Sequence, residues 1–153
     1  MKISTRGRYA LRMMLDIALH ADEGSISLKS IAKRQEISVK YLEQIVTPLA
    51  RGGLLQASRG AQGGYRLNRR PEDYTVGEIL RTIEGSLAPV ACLDGGETYC
   101  QRLGQCVTVE VYRRIDEAID KVVDNITLQD LVDIQHEKWG GAEPPADSLP
   151  LSN

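Results

Sequence analysis

The sequence predicts a mainly α-helical fold with a small β-hairpin wing: a winged helix-turn-helix domain followed by a long dimerisation helix. Three observations carry that expectation. Short amphipathic helical segments follow one another from residue 5, each opened by a Ser or Thr. After the third, a glycine-rich turn, Arg59-Gly60-Ala61-Gln62-Gly63-Gly64, separates two short apolar runs. Charge is also segregated: residues 1–70 hold 13 Lys and Arg against 5 Asp and Glu, and residues 71–153 hold 6 against 16. The net charge is only −2, but a basic half beside an acidic half points to one end meeting a polyanion.

The elements follow in order. Thr5 to Ala21 reads as a helix capped by Ser4 or Thr5, with Tyr9, Met13, Ile17 and Ala21 at helical spacing. Ile26 is a short apolar spot, and Ser27 caps a second helix that runs to about Glu36. Ser38 caps a third, whose apolar face is Leu42, Ile45, Val46 and Leu49. Pro48 lies inside it, so a kink or an early end is expected near Val46 or Thr47. Leu54–Ser58 and Tyr65–Leu67 form the hairpin, and Thr75 caps a helix with Val76, Ile79, Leu80 and Ile83 on one face.

Gly85 to Gln105 reads as a loop. A long helix from about Val107 to Asp124 carries Val111, Ile115, Ala118, Val122 and Ile126 as a stripe, either a coiled-coil seam or a core-facing side. Thr127 caps a last helix to about Gln135. The expected organisation is a DNA-binding domain over 1–84, a cysteine-bearing loop over 85–106, a dimerisation helix and C-terminal helix over 107–136, and a disordered tail over 137–153.

Composition narrows the class. Of 153 residues, 42% are hydrophobic and 26% charged, as in ordinary globular domains. No stretch approaches the roughly 18 consecutive apolar residues of a membrane span, and the first residues lack a signal peptide's apolar core. The expectation is a cytoplasmic protein with no membrane partner. No nucleophile elbow, phosphate-binding loop, dinucleotide fingerprint or HExxH motif points to an enzyme.

Helix order and hairpin place candidate DNA contacts. Lys40, Tyr41, Glu43 and Gln44 lie off the apolar face of the helix that Ser38 begins. Gln pairs with adenine edges and Glu accepts from cytosine, whereas Lys and Tyr suit phosphates. Arg59, beside small residues at the hairpin tip, can probe a minor groove. Arg6, Arg8 and Arg12 add positive charge on the first helix.

The second constellation is Cys92, Cys100 and Cys106, the only cysteines, within fifteen residues. An odd count argues against a disulfide framework and for a metal, a cluster or redox chemistry. Three thiolates in one loop can converge on an iron–sulfur cluster, although the spacing is wider than that of ferredoxin and zinc motifs. A closed site needs a fourth ligand. His20 and His136 are far away in sequence; Asp94, Glu97, Glu110 or a residue of a second subunit are the alternatives.

The separate motifs together resemble the IscR-type winged-helix regulators. The matching stretches are Ser4–Ala10, Ile37–Gln44, Arg59–Tyr65, the three cysteines, Asn125–Leu128 and Asp130–Val132. The resemblance covers about residues 1–136. It implies a homodimer whose long helices cross on a double-stranded DNA operator, and contacts from Ser38, Tyr41, Glu43 and Gln44 with Arg59 in the minor groove. It implies a cluster held by Cys92, Cys100 and Cys106, 2Fe–2S favoured over 4Fe–4S. It further implies repression of cluster-biogenesis genes, the protein's own gene included. Relatives with such a loop respond to nitric oxide or iron, and others without the cysteines sense cysteine metabolism or oxidants. The chain departs from the pattern at Val109, which stands where such regulators can carry a ligating histidine.

Overall fold

The computed structural model describes residues 2–95 and 100–140. Glu97 and the tail beyond Gly140 lie outside the described residues. The described chain forms six α-helices and one two-stranded antiparallel hairpin.

Helix α1 (Thr5–Leu19) begins where the Ser4 hydroxyl accepts from the Gly7 N–H at 3.1 Å. It ends two residues before the expected Ala21. The backbone N–H of His20 and its ring Nδ1 both turn back to the Asp16 carbonyl, at 3.2 and 2.8 Å, and Ala21–Glu23 continue as a 3₁₀ turn. Helix α2 (Leu28–Gln35) is capped by Ser27 and closes on Glu36, the one non-glycine residue with positive φ (54°) among the described residues. The Ile37 N–H reaches back to the Ala32 carbonyl at 3.2 Å, and Ile37 is buried as its apolar anchor.

Helix α3 (Val39–Arg51) runs unbroken past Pro48, against the expected kink or early end. The proline removes an N–H and thereby orphans the Gln44 carbonyl, and the Arg6 guanidinium faces that oxygen at 3.5 Å. Leu42, Ile45, Val46 and Leu49 hold the helix in place by burial, each contributing ~1.5–3 kcal/mol. The resulting core joins them to Ala10, Met13, Met14, Ile17, Ile31 and Tyr74.

Strands β1 (Leu55–Ser58) and β2 (Gly64–Leu67) pair with Ala57 opposite Tyr65. Ile26 joins them through two 2.8 Å backbone bonds with Tyr65, so the apolar spot of the sequence is a third edge of the wing. Gly64 is required there, because a side-chain carbon would collide with the Ile26 carbonyl. Tyr74, fully buried, ties down the hairpin base: its hydroxyl donates to the Leu54 carbonyl at 2.8 Å and accepts from the N–H groups of Asn68 and Arg69.

Helix α4 (Val76–Glu84), capped by Thr75, faces two ways. Ile79 enters the main core, and Leu80 joins Val76, Leu87 and Val123 in a second, smaller one. Helix α5 (Val109–Val123) starts two residues later than expected, because Thr108 takes the cap position and Val107 stays 84% exposed. Arg81 of α4 pairs with Asp120 and Asp124 of α5. Helix α6 (Leu128–Trp139) carries a reciprocal cap between Thr127 and Asp130. It returns to the N-terminal core through Leu128, and backbone bonds Val76–Ile126 and Leu128–Tyr74 stitch its start to that of α4. Residues 137–139, expected in the tail, complete the helix, which Gly140 closes in the left-handed conformation.

Candidate functional site

Two faces carry the candidate residues. On the first, α3 turns its four buried apolar residues inward and leaves Lys40, Glu43, Gln44 and Thr47 exposed on the opposite side. Those four follow the i, i+3, i+4, i+7 spacing of one helical stripe. Thr47 was absent from the sequence-based candidates, although the same spacing points to it. Its hydroxyl donates to the Glu43 carbonyl at 2.8 Å.

Ser38 is the N-cap itself, and its hydroxyl accepts from the Tyr41 N–H at 3.1 Å. Tyr41 is half-buried; its ring meets that of Tyr9 edge-on, 5.7 Å between centroids at 89°. Arg59 opens the exposed turn between β1 and β2. Arg66 on β2 is exposed too and donates to Gln56 across the hairpin at 2.9 and 3.1 Å. Lys29 and Lys33 stand exposed on α2. The surface that α3 presents is therefore polar and built on a packed core.

On the second face, the cysteines are spread along the connection from α4 to α5. Cys92 lies in the 3₁₀ turn Ala91–Leu93, and Cys106 closes the turn Leu103–Gln105. All three thiols are free and partly buried. Cys106 Sγ lies 3.1 Å from the Thr108 hydroxyl at the start of α5. That hydroxyl, helped by the first N–H groups of the helix and by Arg102, holds the Cys106 thiol below its ordinary pKa.

Three free thiols suit the donor chemistry of an iron–sulfur cluster. The described residues do not bring them into one site, however: among them, no three His, Cys, Asp or Glu side chains are close enough to hold a metal ion. Of the other candidate ligands, Asp94 closes the same turn that holds Cys92. His20 is bonded to the Asp16 carbonyl, His136 is on α6, and Glu110 pairs with Arg113 at 2.8 Å. Val109 is 2% exposed, packed inward at the first position of α5.

Beyond the loop, Val111, Ile115 and Val122 stand 57, 40 and 57% exposed. With Ile3, Leu80 and Leu87 they line an open apolar groove of about 680 Å³. Most of the stripe read from the sequence therefore points outward, while Ile119 and Val123 face the small core. No helix among the described residues is long and apolar enough to cross a membrane.

Comparison with known proteins agrees with this architecture. Residues 3–134 match the profile of the Rrf2 family, described as iron-dependent transcriptional regulators. The chain is 44% identical over 131 residues to the transcriptional regulator CymR of Bacillus subtilis, covering 86% of this chain and 89% of that protein. It is 39% identical to the transcriptional regulator IscR of Aliivibrio salmonicida, over 86% of this chain and 77% of the relative. Among solved structures, T. potens IscR superposes with a TM-score of 0.73 at 41% identity, covering 91% of each chain. The structure of CymR, the global cysteine regulator of B. subtilis, gives 0.72 at 40% identity, over 88% of this chain and 98% of that one.

Proposed function

The chain belongs to the Rrf2 family of DNA-binding transcription regulators, not to a family of enzymes, and from that premise we propose an iron–sulfur-sensing repressor that acts as a homodimer in the cytoplasm. The observation that carries the reading is the pairing of an exposed polar α3 with three free thiols on the connection leading into α5. Lys40, Tyr41, Glu43 and Gln44, with Ser38 at the cap, enter the major groove of a double-stranded operator, and Arg59 follows the minor groove. The exposed Val111, Ile115 and Val122 pack against a second copy and set the spacing of the two α3 helices.

Cys92, Cys100 and Cys106 are the residues that would hold the cluster, with 2Fe–2S favoured over 4Fe–4S. When bound, the cluster supplies a state that depends on iron supply and oxidants. Ligation by Cys92, Cys100 and Cys106 would tie the cysteine-bearing connection to the start of α5, and would favour one arrangement of the two DNA-binding domains over another. The regulated genes are those of cluster biogenesis, the protein's own gene included, as the resemblance implies.

Anaerobic purification with iron, sulfide and Mössbauer analysis tests the sensor. Matching iron and sulfide, lost in Cys92→Ala, Cys100→Ala and Cys106→Ala, together with altered operator affinity, is the expected result. Unchanged DNA binding with and without the cluster would sink it.

The lowered pKa of Cys106 and the likeness to CymR favour a second reading, in which thiol oxidation alone is the signal. Its mark is an iron-free protein whose operator affinity changes with oxidant.

A further inference from the structure

Arg12 does not extend into solvent as a phosphate-binding cation would. Its Nη2 donates to the Gln35 carbonyl at 2.7 Å and its Nε to Gln35 Oε1 at 3.0 Å. The Gln35 amide donates onward to Asp16 Oδ2 at 2.9 Å. Asp16 is 1% exposed and also takes a two-pronged guanidinium from Arg34, with contacts of 2.6 to 3.2 Å. A buried carboxylate is tolerated only when it is paired and hydrogen-bonded in this way. The network joins the middle of α1 to the last turn of α2.

The point of attachment matters. Gln35 is the last residue of α2, and its carbonyl has no partner within the helix. A guanidinium there satisfies the oxygen and complements the negative end of the helix. The next residue is Glu36, at φ 54° and ψ 42°. A left-handed non-glycine residue is held by what surrounds it. Glu36 is also the corner between α2 and α3, so it sets the angle at which α3 leaves the domain.

Arg12 has a second contact in the same direction. Its guanidinium carbon lies 5.2 Å from the centre of the Tyr9 ring, within cation–π range. Tyr9 meets Tyr41 edge-on, and Tyr41 belongs to the first turn of α3 beside Lys40 and Glu43. One side chain therefore fixes both the corner before α3 and an aromatic side chain on α3 itself.

We propose that Arg12 is a positioning residue for operator recognition, locking the α2–α3 corner and, through Tyr9, seating Tyr41, instead of neutralising a phosphate. The inference rests on α3 being the helix that reads the operator. Lysine at this position keeps the charge but loses the two-pronged contact to Gln35 and the guanidinium over Tyr9. Positioning and phosphate contact therefore separate cleanly. Weakened positioning lowers affinity for the right sequence alone, whereas a lost phosphate contact lowers affinity for all sequences and flattens the salt dependence by about one unit of slope.

The test uses the full chain on two duplexes: an operator selected from a random-sequence pool, and a scrambled duplex of the same length. Arg12→Lys is expected to lose at least about fivefold in operator affinity, with scrambled-duplex affinity and salt slope unchanged. Tyr9→Leu, which keeps apolar bulk, should give the same pattern, and the double variant should be no worse than the worse single one. Equal losses on both duplexes with a reduced slope would overturn the proposal, as would additive effects in the double variant. Gln44→Ala serves as the control for α3. If it loses operator affinity while Arg12→Lys does not, the inference alone fails; if it binds the operator as the parent does, the α3 reading fails with it.

Discussion

From Thr5 to Glu84, and again in α6, most large apolar side chains withdraw from solvent into the main core, with Met13, Leu42, Ile45, Leu49 and Leu128 at 0% exposure. Helix α5 is of similar length to α1, yet it buries only Val109 and Val123 and leaves Val111, Ile115 and Val122 in water. The first region closes on itself, and its buried Asp16 carboxylate is met there by Arg34 and Gln35. The second holds its interactions open, as an apolar stripe and three free thiols. A self-contained core holds α3 from beneath, while α5 leaves most of its apolar stripe exposed.

The core is where a substitution should cost most. Leu42→Ala should cost about 3 kcal/mol in urea unfolding, because it opens a cavity under α3. Ile115→Ala, on the open face, should leave the unfolding of the isolated subunit nearly unchanged. If both cost the same, α5 is as much part of the subunit core as α3 is.

Next in size is assembly. Ile115→Asp places a charge on the exposed stripe and should yield monomers in analytical ultracentrifugation. With one subunit instead of two on a two-fold operator, affinity should fall by about a hundredfold. A dimer that persists in Ile115→Asp would move the interface elsewhere.

Within the self-contained region, Tyr74→Phe removes a hydroxyl that serves three backbone groups of the hairpin base. The expected loss is about 1–3 kcal/mol, measured by chemical unfolding. Glu36→Gly tests strain at the corner. Glycine adopts the left-handed conformation without penalty, so stability should rise by up to about 1 kcal/mol. A loss instead would mean that the Glu36 side chain itself supports the turn.

The smallest effect belongs to the open region. Burial, reinforced by Asp120, raises the Asp116 carboxyl above its ordinary pKa. A raised carboxylate stabilises the fold at low pH, and that contribution is lost as pH rises through the folded-state value. Asp116→Asn should therefore melt slightly higher than the parent at neutral pH, and the difference should vanish in acid, below the ordinary aspartate range. No difference at any pH would place Asp116 in open solvent.

Most of the element order was legible because local rules decide it. Ser27, Ser38, Thr75 and Thr127 each cap the helix that follows, through contacts within three residues. The apolar faces of α3 and α4 follow from a spacing that needs no knowledge of the partner. Pro48 misled for the opposite reason. A proline's cost in a helix depends on who serves the orphaned carbonyl, and here Arg6 comes from 38 residues away. Ile26 was likewise illegible as a strand, since its partner Tyr65 is distant in sequence.

The candidate site divides along the same line. Lys40, Glu43 and Gln44 were identifiable because exposure on a capped helix follows from periodicity, which also pointed to Thr47. Fold class, family resemblance and the identity of the three thiols follow from the amino-acid order alone. That Arg12 faces Gln35, that α6 returns to the N-terminal core, and that most of the α5 stripe points outward emerge only in the folded molecule. The reason is physical. Caps and periodic faces are set by neighbours within one or two turns, whereas the partner of a long side chain, or the side of a helix that is covered, depends on elements that meet only when the chain has folded.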